Sequence, residues 1–175
     1  MTPPDPGEIL KAACDGVVAA TELRPEYSVK SGKLLRTFCN IGARRVAQAM
    51  GCHDFDDTDL NADAMHALML AKWKKVDSRE AVLHALDGGL AFASMTGKQL
   101  GDEHGHIAAV RPEARQRSGS LGVDVPMVAN VGKGDPDAPM LPGAQTGIKT
   151  KRNWNCKSSQ AFPVSKGEPD YFIKA

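Results

Sequence analysis

Apolar residues in the first half of the chain recur at helical spacing, while in the second half they gather into short runs. Ile9, Leu10, Ala13, Val17 and Val18 predict a helix over residues 8–20, which Gly16 weakens. Counting from Cys39, the residues Ala43, Val46, Ala47 and Met50 fall on one stripe, so a second helix is expected with Gly51 as its stop. Asn61 is placed to cap a third helix through Met65 and Leu68 to Trp73. Asp77-Ser78-Arg79-Glu80 resembles a capping box ahead of Ala81, and Gly88-Gly89 ends the fourth helix.

Beyond Gly89 the period changes. Residues 90–94, 106–110 and 125–131 read as short strands separated by Gly, Pro and charged positions, and residues 170–173 as a last one. Helices first and strands second predict an α+β domain, with N-terminal helices packed on one side of a small antiparallel sheet. Residues 132–147 are rich in Gly, Pro and Asp and poor in apolar side chains, so a surface loop is expected.

The chain has 175 residues, 42 % of them hydrophobic, which suits one packed domain over residues 1–175 better than two. Its 22 basic and 21 acidic residues leave a formal charge of +1 with no large basic face, which argues against nucleic acid as a partner. No run approaches the roughly 20 apolar residues that a membrane-spanning helix needs, so membrane insertion is not expected. Met1-Thr2-Pro3-Pro4-Asp5-Pro6 has neither a basic start nor an apolar core. The expectation is a protein made in the cytoplasm without a signal peptide, dependent on other machinery for any action outside. Cys14, Cys39, Cys52 and Cys156 are widely spaced, without the CxxC pairing of a zinc ribbon.

The chemistry-bearing residues are those of a thiol hydrolase. Cys39 falls at the first turn of its helix, where outward N–H groups and the helix dipole favour a thiolate. A cysteine hydrolase also needs an imidazole to take the proton and a polar group to hold that imidazole in one tautomer. His106 opens a strand after Gly105, and Asn130 lies on the next strand. If the strands are antiparallel neighbours, Asn130 accepts from one ring nitrogen and leaves the other for Cys39. His104 is the competing base, on the same face if the strand reaches it. Asp57, Asp59, Asn61 and Asp63 alternate like the start of a calcium loop but lack its Gly and its closing Glu, so a solvated, helix-capping loop is expected. Cys52-His53 lacks paired-ligand spacing, so neither metal nor cofactor is expected. Trp73, Trp154 and Phe172 read as packing residues, and Lys149 to Arg152 as a solvated loop.

Thr37-Phe38-Cys39-Asn40 with its helix ending Ala49-Met50-Gly51, followed by Gly105-His106-Ile107-Ala108-Ala109-Val110, resembles the papain-like cell-wall peptidases of the NlpC type and the related CHAP amidases. Asn61-Ala62-Asp63-Ala64-Met65 and Pro126-Met127 fit the same order, and within that group the pattern is similar to type VI secretion amidase effectors and compact phage endolysins. The resemblance spans residues 27–132. It implies a papain-like fold and hydrolysis of an amide in the peptidoglycan stem peptide, with Cys39 as nucleophile, His106 as base and Asn130 as third member. The usual Asp-Cys-Ser-Gly is Phe38-Cys39-Asn40-Ile41 here. The usual Tyr-x-Trp-Gly-Gly is reduced to Tyr27, a candidate oxyanion or substrate contact. The implied setting is the periplasm or cell wall, reached through a secretion system or phage lysis, with an immunity protein as partner in the effector case. Two other functions compete: a thiol-dependent deamidase or acyl transferase acting on a protein, and a catalytically dead binding module.

Overall fold

A computed structural model describes residues 3–27, 34–134 and 151–175, with backbone alone at 27, 34–36, 133–134 and 151–152. The first part is helical: α1 (Pro6–Ala19), a small ribbon of β1 (Glu26–Tyr27) and β2 (Leu34–Arg36), then α2 (Cys39–Ala49) and α3 (Ala62–Lys72). Next come β3 (Lys74–Val76), α4 (Ser78–Leu86), β4 (Ala91–Met95), the short α5 (Gly97–Leu100) and β5 (His106–Val110). The remainder is β6 (Gln116–Arg117), β7 (Asp124–Val125), β8 (Met127–Gly134), β9 (Lys151–Lys157), the short α6 (Ser158–Ala161) and β10 (Asp170–Ile173).

Local chemistry sets the helix ends. Asp5, Asn61 and Asp77 each accept a first-turn N–H of the helix that follows, satisfying donors that have no partner inside the helix. α2 stops at Met50, and Gly51 follows in the left-handed region (φ +72°) that glycine adopts without strain.

The main sheet has six strands in the order β3-β10-β4-β5-β8-β9, and every pairing is antiparallel. The chain is thus α+β, with helices on an antiparallel sheet. Register divides the side chains between two faces. Phe92, Ser94, Ile107, Ala109, Ala129 and Phe172 share one, while Ala93, Met95, His106, Ala108, Val110, Val128 and Tyr171 share the other. On the first, Phe55 and Trp73 pack on Phe92, and α3 delivers His66 against Phe172. α1 lies beside α2, which packs over β5 and β8. The other face is covered by α6, through Phe162 on His106 and Ser158 bonded to the Tyr171 hydroxyl. Helical cover is therefore two-sided, and all five residues of both β4 and β5 are buried. That explains why these strands read as small apolar runs without polar alternation.

The helical cover expected on one side of the sheet thus lies on both, and three further expectations change. Pro126 lacks an N–H for the ladder, so the run 125–131 divides between the β6–β7 hairpin and β8. β8 then continues to Gly134, past the point where the loop was expected to open; residues 135–147 lie outside the described residues. Lys151 and Arg152 start β9 in place of a solvated loop, and Lys149 lies outside the described residues.

Candidate active site

Cys39 is the first residue of α2, and Phe38 in the cap position carries no side-chain acceptor. The first-turn N–H groups therefore point outward beside the cysteine, where they favour negative charge. Residues spaced four apart hold the flank of this helix to the preceding edge of α3. Asn40 Nδ2 donates to the Leu60 carbonyl (3.0 Å), Arg44 to the carbonyls of Phe55 (2.6 Å) and Asp57 (2.9 Å), and Gln48 Nε2 to Asp56 Oδ1 (2.9 Å). This ladder fixes how far α2 extends along its axis, and with it the level of Cys39.

That level coincides with one end of the central strands. A Cβ added at Gly42 would lie 2.8 Å from Val131 Cγ2, and one at Gly132 would lie 2.8 Å from Thr37 Cβ. The start of α2 thus abuts the two residues that follow Asn130 in β8. β5 and β8 run antiparallel with Ala109 opposite Ala129, so the same end of the sheet carries His106, the first residue of β5.

His106 and Asn130 are brought together as expected. His106 Nε2 lies 2.8 Å from Asn130 Oδ1, and both side chains are buried. An amide oxygen only accepts, so Nε2 carries the hydrogen of this bond. The Phe162 ring packs on the imidazole at 5.0 Å between centroids. Across the ladder, Trp154 stands opposite Asn130. Phe162 was not legible as a site residue, because nothing local in Ala161-Phe162-Pro163 separates it from an ordinary core aromatic.

The competing base His104 is exposed on the bend before β5 and is not part of the strand. The Tyr27 side chain lies outside the described residues; its backbone belongs to β1. All four cysteines are reduced, buried thiols, with Cys39 retaining 7 % exposure and Cys14 none. Burial pushes the Cys14 thiol up to about 12 and raises that of Cys52, which makes both poor nucleophiles at neutral pH. Among the described residues no group of three or more His, Cys, Asp or Glu could hold a metal. Nor is any helix long and apolar enough to cross a membrane.

The acidic stretch before α3 does more than cap. Asp57 accepts from the Asp59 N–H and Asn61 from the Ala64 N–H, but the Asp63 carboxylate reaches across to Gly97 and Gly105. Trp73 and Phe172 are buried packing residues, and Trp154 is partly buried against the core. A second constellation has the order of a hydrolase triad. His66 Nδ1 lies 3.0 Å from Ser94 Oγ, its Nε2 is 3.5 Å from Asp170 Oδ2, and Asp170 Oδ1 pairs with Lys75 Nζ at 2.7 Å. Ser94 is fully buried, so no substrate carbonyl reaches it; the trio ties α3 to β4 and β10. No protein-family model and no curated protein matches this chain.

Proposed function

We propose that this protein is a cysteine hydrolase of the papain-like type that cuts an amide bond in the peptidoglycan stem peptide. The observation that carries the reading is the buried 2.8 Å bond between His106 Nε2 and Asn130 Oδ1, made at the end of the sheet where α2 begins with Cys39. A histidine held through Nε2 by an amide oxygen has its other nitrogen set for proton transfer, which is the arrangement a thiol nucleophile requires. The wall peptide as substrate rests on the resemblance of residues 37–51 and 105–110 to the cell-wall peptidases.

For the reaction, His106 Nδ1 takes the Cys39 proton. The thiolate attacks the scissile carbonyl, and the backbone N–H of Cys39 donates to the oxyanion, a contact worth about 3 kcal/mol in the transition state. The C–N bond breaks as the imidazolium returns its proton to the leaving amine, leaving a thioester on Cys39. His106 then takes a proton from water, hydroxide adds to the thioester, and the thiol departs. The resemblance places action on the wall after delivery by a secretion apparatus or release by a phage partner. In the effector setting an immunity protein would block access to Cys39.

The test is digestion of purified sacculi with release of soluble muropeptides. Cys39→Ala and His106→Ala are each expected to abolish release while keeping the circular dichroism spectrum. Full activity in either variant would overturn the assignment, and deamidation or acylation of a protein without muropeptide release would move it to the alternative target.

A further inference from the structure

His106 is reached through a hairpin connection whose geometry is set from outside. The connection leaves β4 at Met95, turns through α5 and returns at Gly105. The Asp63 carboxylate, in the first turn of α3, spans its two ends: Oδ1 accepts the Gly97 N–H at 2.8 Å and Oδ2 accepts the Gly105 N–H at 2.9 Å. Both glycines are there for close approach. A Cβ at Gly97 would meet the Asp102 carbonyl oxygen at 2.7 Å, and one at Gly105 would meet the Met95 carbonyl oxygen at 2.7 Å and Asp63 Oδ1 at 3.2 Å. A glycine immediately before the base leaves that backbone free to rotate unless something holds it, and the carboxylate does so with both oxygens.

Resting on the reading of Cys39 and His106 as a nucleophile and base pair, we infer that Asp63 is the positioning residue that sets the imidazole against the sulfur. The line of contacts is continuous. Asn40, Arg44 and Gln48 lock α2 to residues 55–60, α3 follows from the Asn61 cap, and Asp63 passes that position to the residue preceding His106. The helix bearing the thiol and the strand bearing the base are thereby registered through one carboxylate, which touches no substrate. Neutralising it to Asn keeps the size but supplies only one acceptor for two N–H groups and turns an NH2 on the other. The chain before His106 then loosens, and since a misplacement of about 1 Å can lower a rate about a hundredfold, a fall of about tenfold in kcat is expected.

The experiment measures two things on the full chain. One is the pH dependence of Cys39 alkylation by iodoacetamide, read on the Cys39 peptide by mass spectrometry; the other is kcat and KM on a soluble stem peptide. His106→Ala is expected to shift the alkylation profile toward that of an ordinary thiol. D63N is expected to shift it part of the way, with kcat reduced and KM unchanged, and Gly105→Ala to do the same by steric means should D63N fail to fold. Asp77→Ala removes the cap of α4, outside this line of contacts, and is expected to lower the thermal midpoint while leaving the profile and kcat alone. A D63N protein with the wild-type profile and kcat, alongside a shifted H106A profile, overturns the role of Asp63. An Asp77→Ala profile that moves like that of D63N also overturns it, by reducing the effect to lost stability. An unshifted H106A profile overturns the nucleophile and base pair itself.

Discussion

Gly42→Ala tests whether the seating of α2 on β8 controls both stability and the position of Cys39. The new Cβ would lie 2.8 Å from Val131 Cγ2, against at least 3.4 Å for ordinary contact. Val131 is buried and β-branched, so its rotamer has little freedom to turn away. The helix must lift by about 0.6 Å, a small overpacking that typically costs about 1–3 kcal/mol. Against this, replacing glycine inside a helix contributes about 1 kcal/mol, so a net loss of about 1 kcal/mol is expected. Cys39 lies three residues earlier on the same rigid turn and moves with it, for which an activity loss of about tenfold is the corresponding scale. Urea unfolding gives the first quantity and muropeptide release the second. The companion variant is Gly42→Ala with Val131→Ala, which removes Cγ1 and Cγ2 and leaves Val131 Cβ at 3.3 Å as the nearest atom. It is expected to recover activity, with a coupling energy of about 1 kcal/mol between the two positions. A single variant as stable and as active as the parent, or a double variant that recovers nothing, would refute the reasoning.

Asn130→Ala leaves His106 Nε2–H buried without its acceptor, which should cost about 1–3 kcal/mol of stability. It should also slow sacculus digestion by less than Cys39→Ala does; equal rates for the parent and Asn130→Ala would remove the orienting role. His66 carries a pH prediction. Burial lowers its pKa from 6.5, partly opposed by Asp170, so the unfolded chain binds the proton more readily. Stability is then complete above about pH 6.5 and declines as pH falls from there toward the lowered folded value. Asp54 and Asp56, held low by hydrogen bonds from Lys174 and Gln48 respectively, act in a separate window, losing their contribution only below their ordinary 3.8. Denaturant midpoints between pH 8 and 5 should fall for the parent and stay flatter for His66→Gln; parallel curves would contradict the assignment. Finally, iodoacetamide on the native protein at pH 8 should modify the Cys39 peptide well before that of Cys14, whose thiol burial pushes up to about 12. Faster labelling of Cys14 would refute that burial.

The elements most visible in the sequence are those whose signals are local. Asn61 and Asp77 announce their helices because a capping side chain bonds to N–H groups three residues on, and Gly51 ends α2 because the left-handed turn needs no Cβ. β9 was missed because Asn153, Asn155 and the three basic residues Lys151, Arg152 and Lys157 surround only Trp154 and Cys156. Its polar face satisfies distant groups, with Asn153 donating to the Leu23 carbonyl and Asn155 bonding to Asp15 and Arg111. No periodicity along residues 151–157 reveals partners more than 40 positions away.

By itself the sequence determined an α+β order of elements, the placement of Cys39 at a helix start and the choice of His106 and Asn130 as residues worth pairing. Tertiary structure alone decided that His106 and Asn130 share a hydrogen bond, that Ser94 is sealed from solvent and that Asp63 clamps the chain before His106. The division is physical. Helix periodicity and capping act within a few residues and leave their mark on neighbouring letters, whereas antiparallel register and a carboxylate bridging 34 and 42 positions depend on which surfaces the packed core brings together.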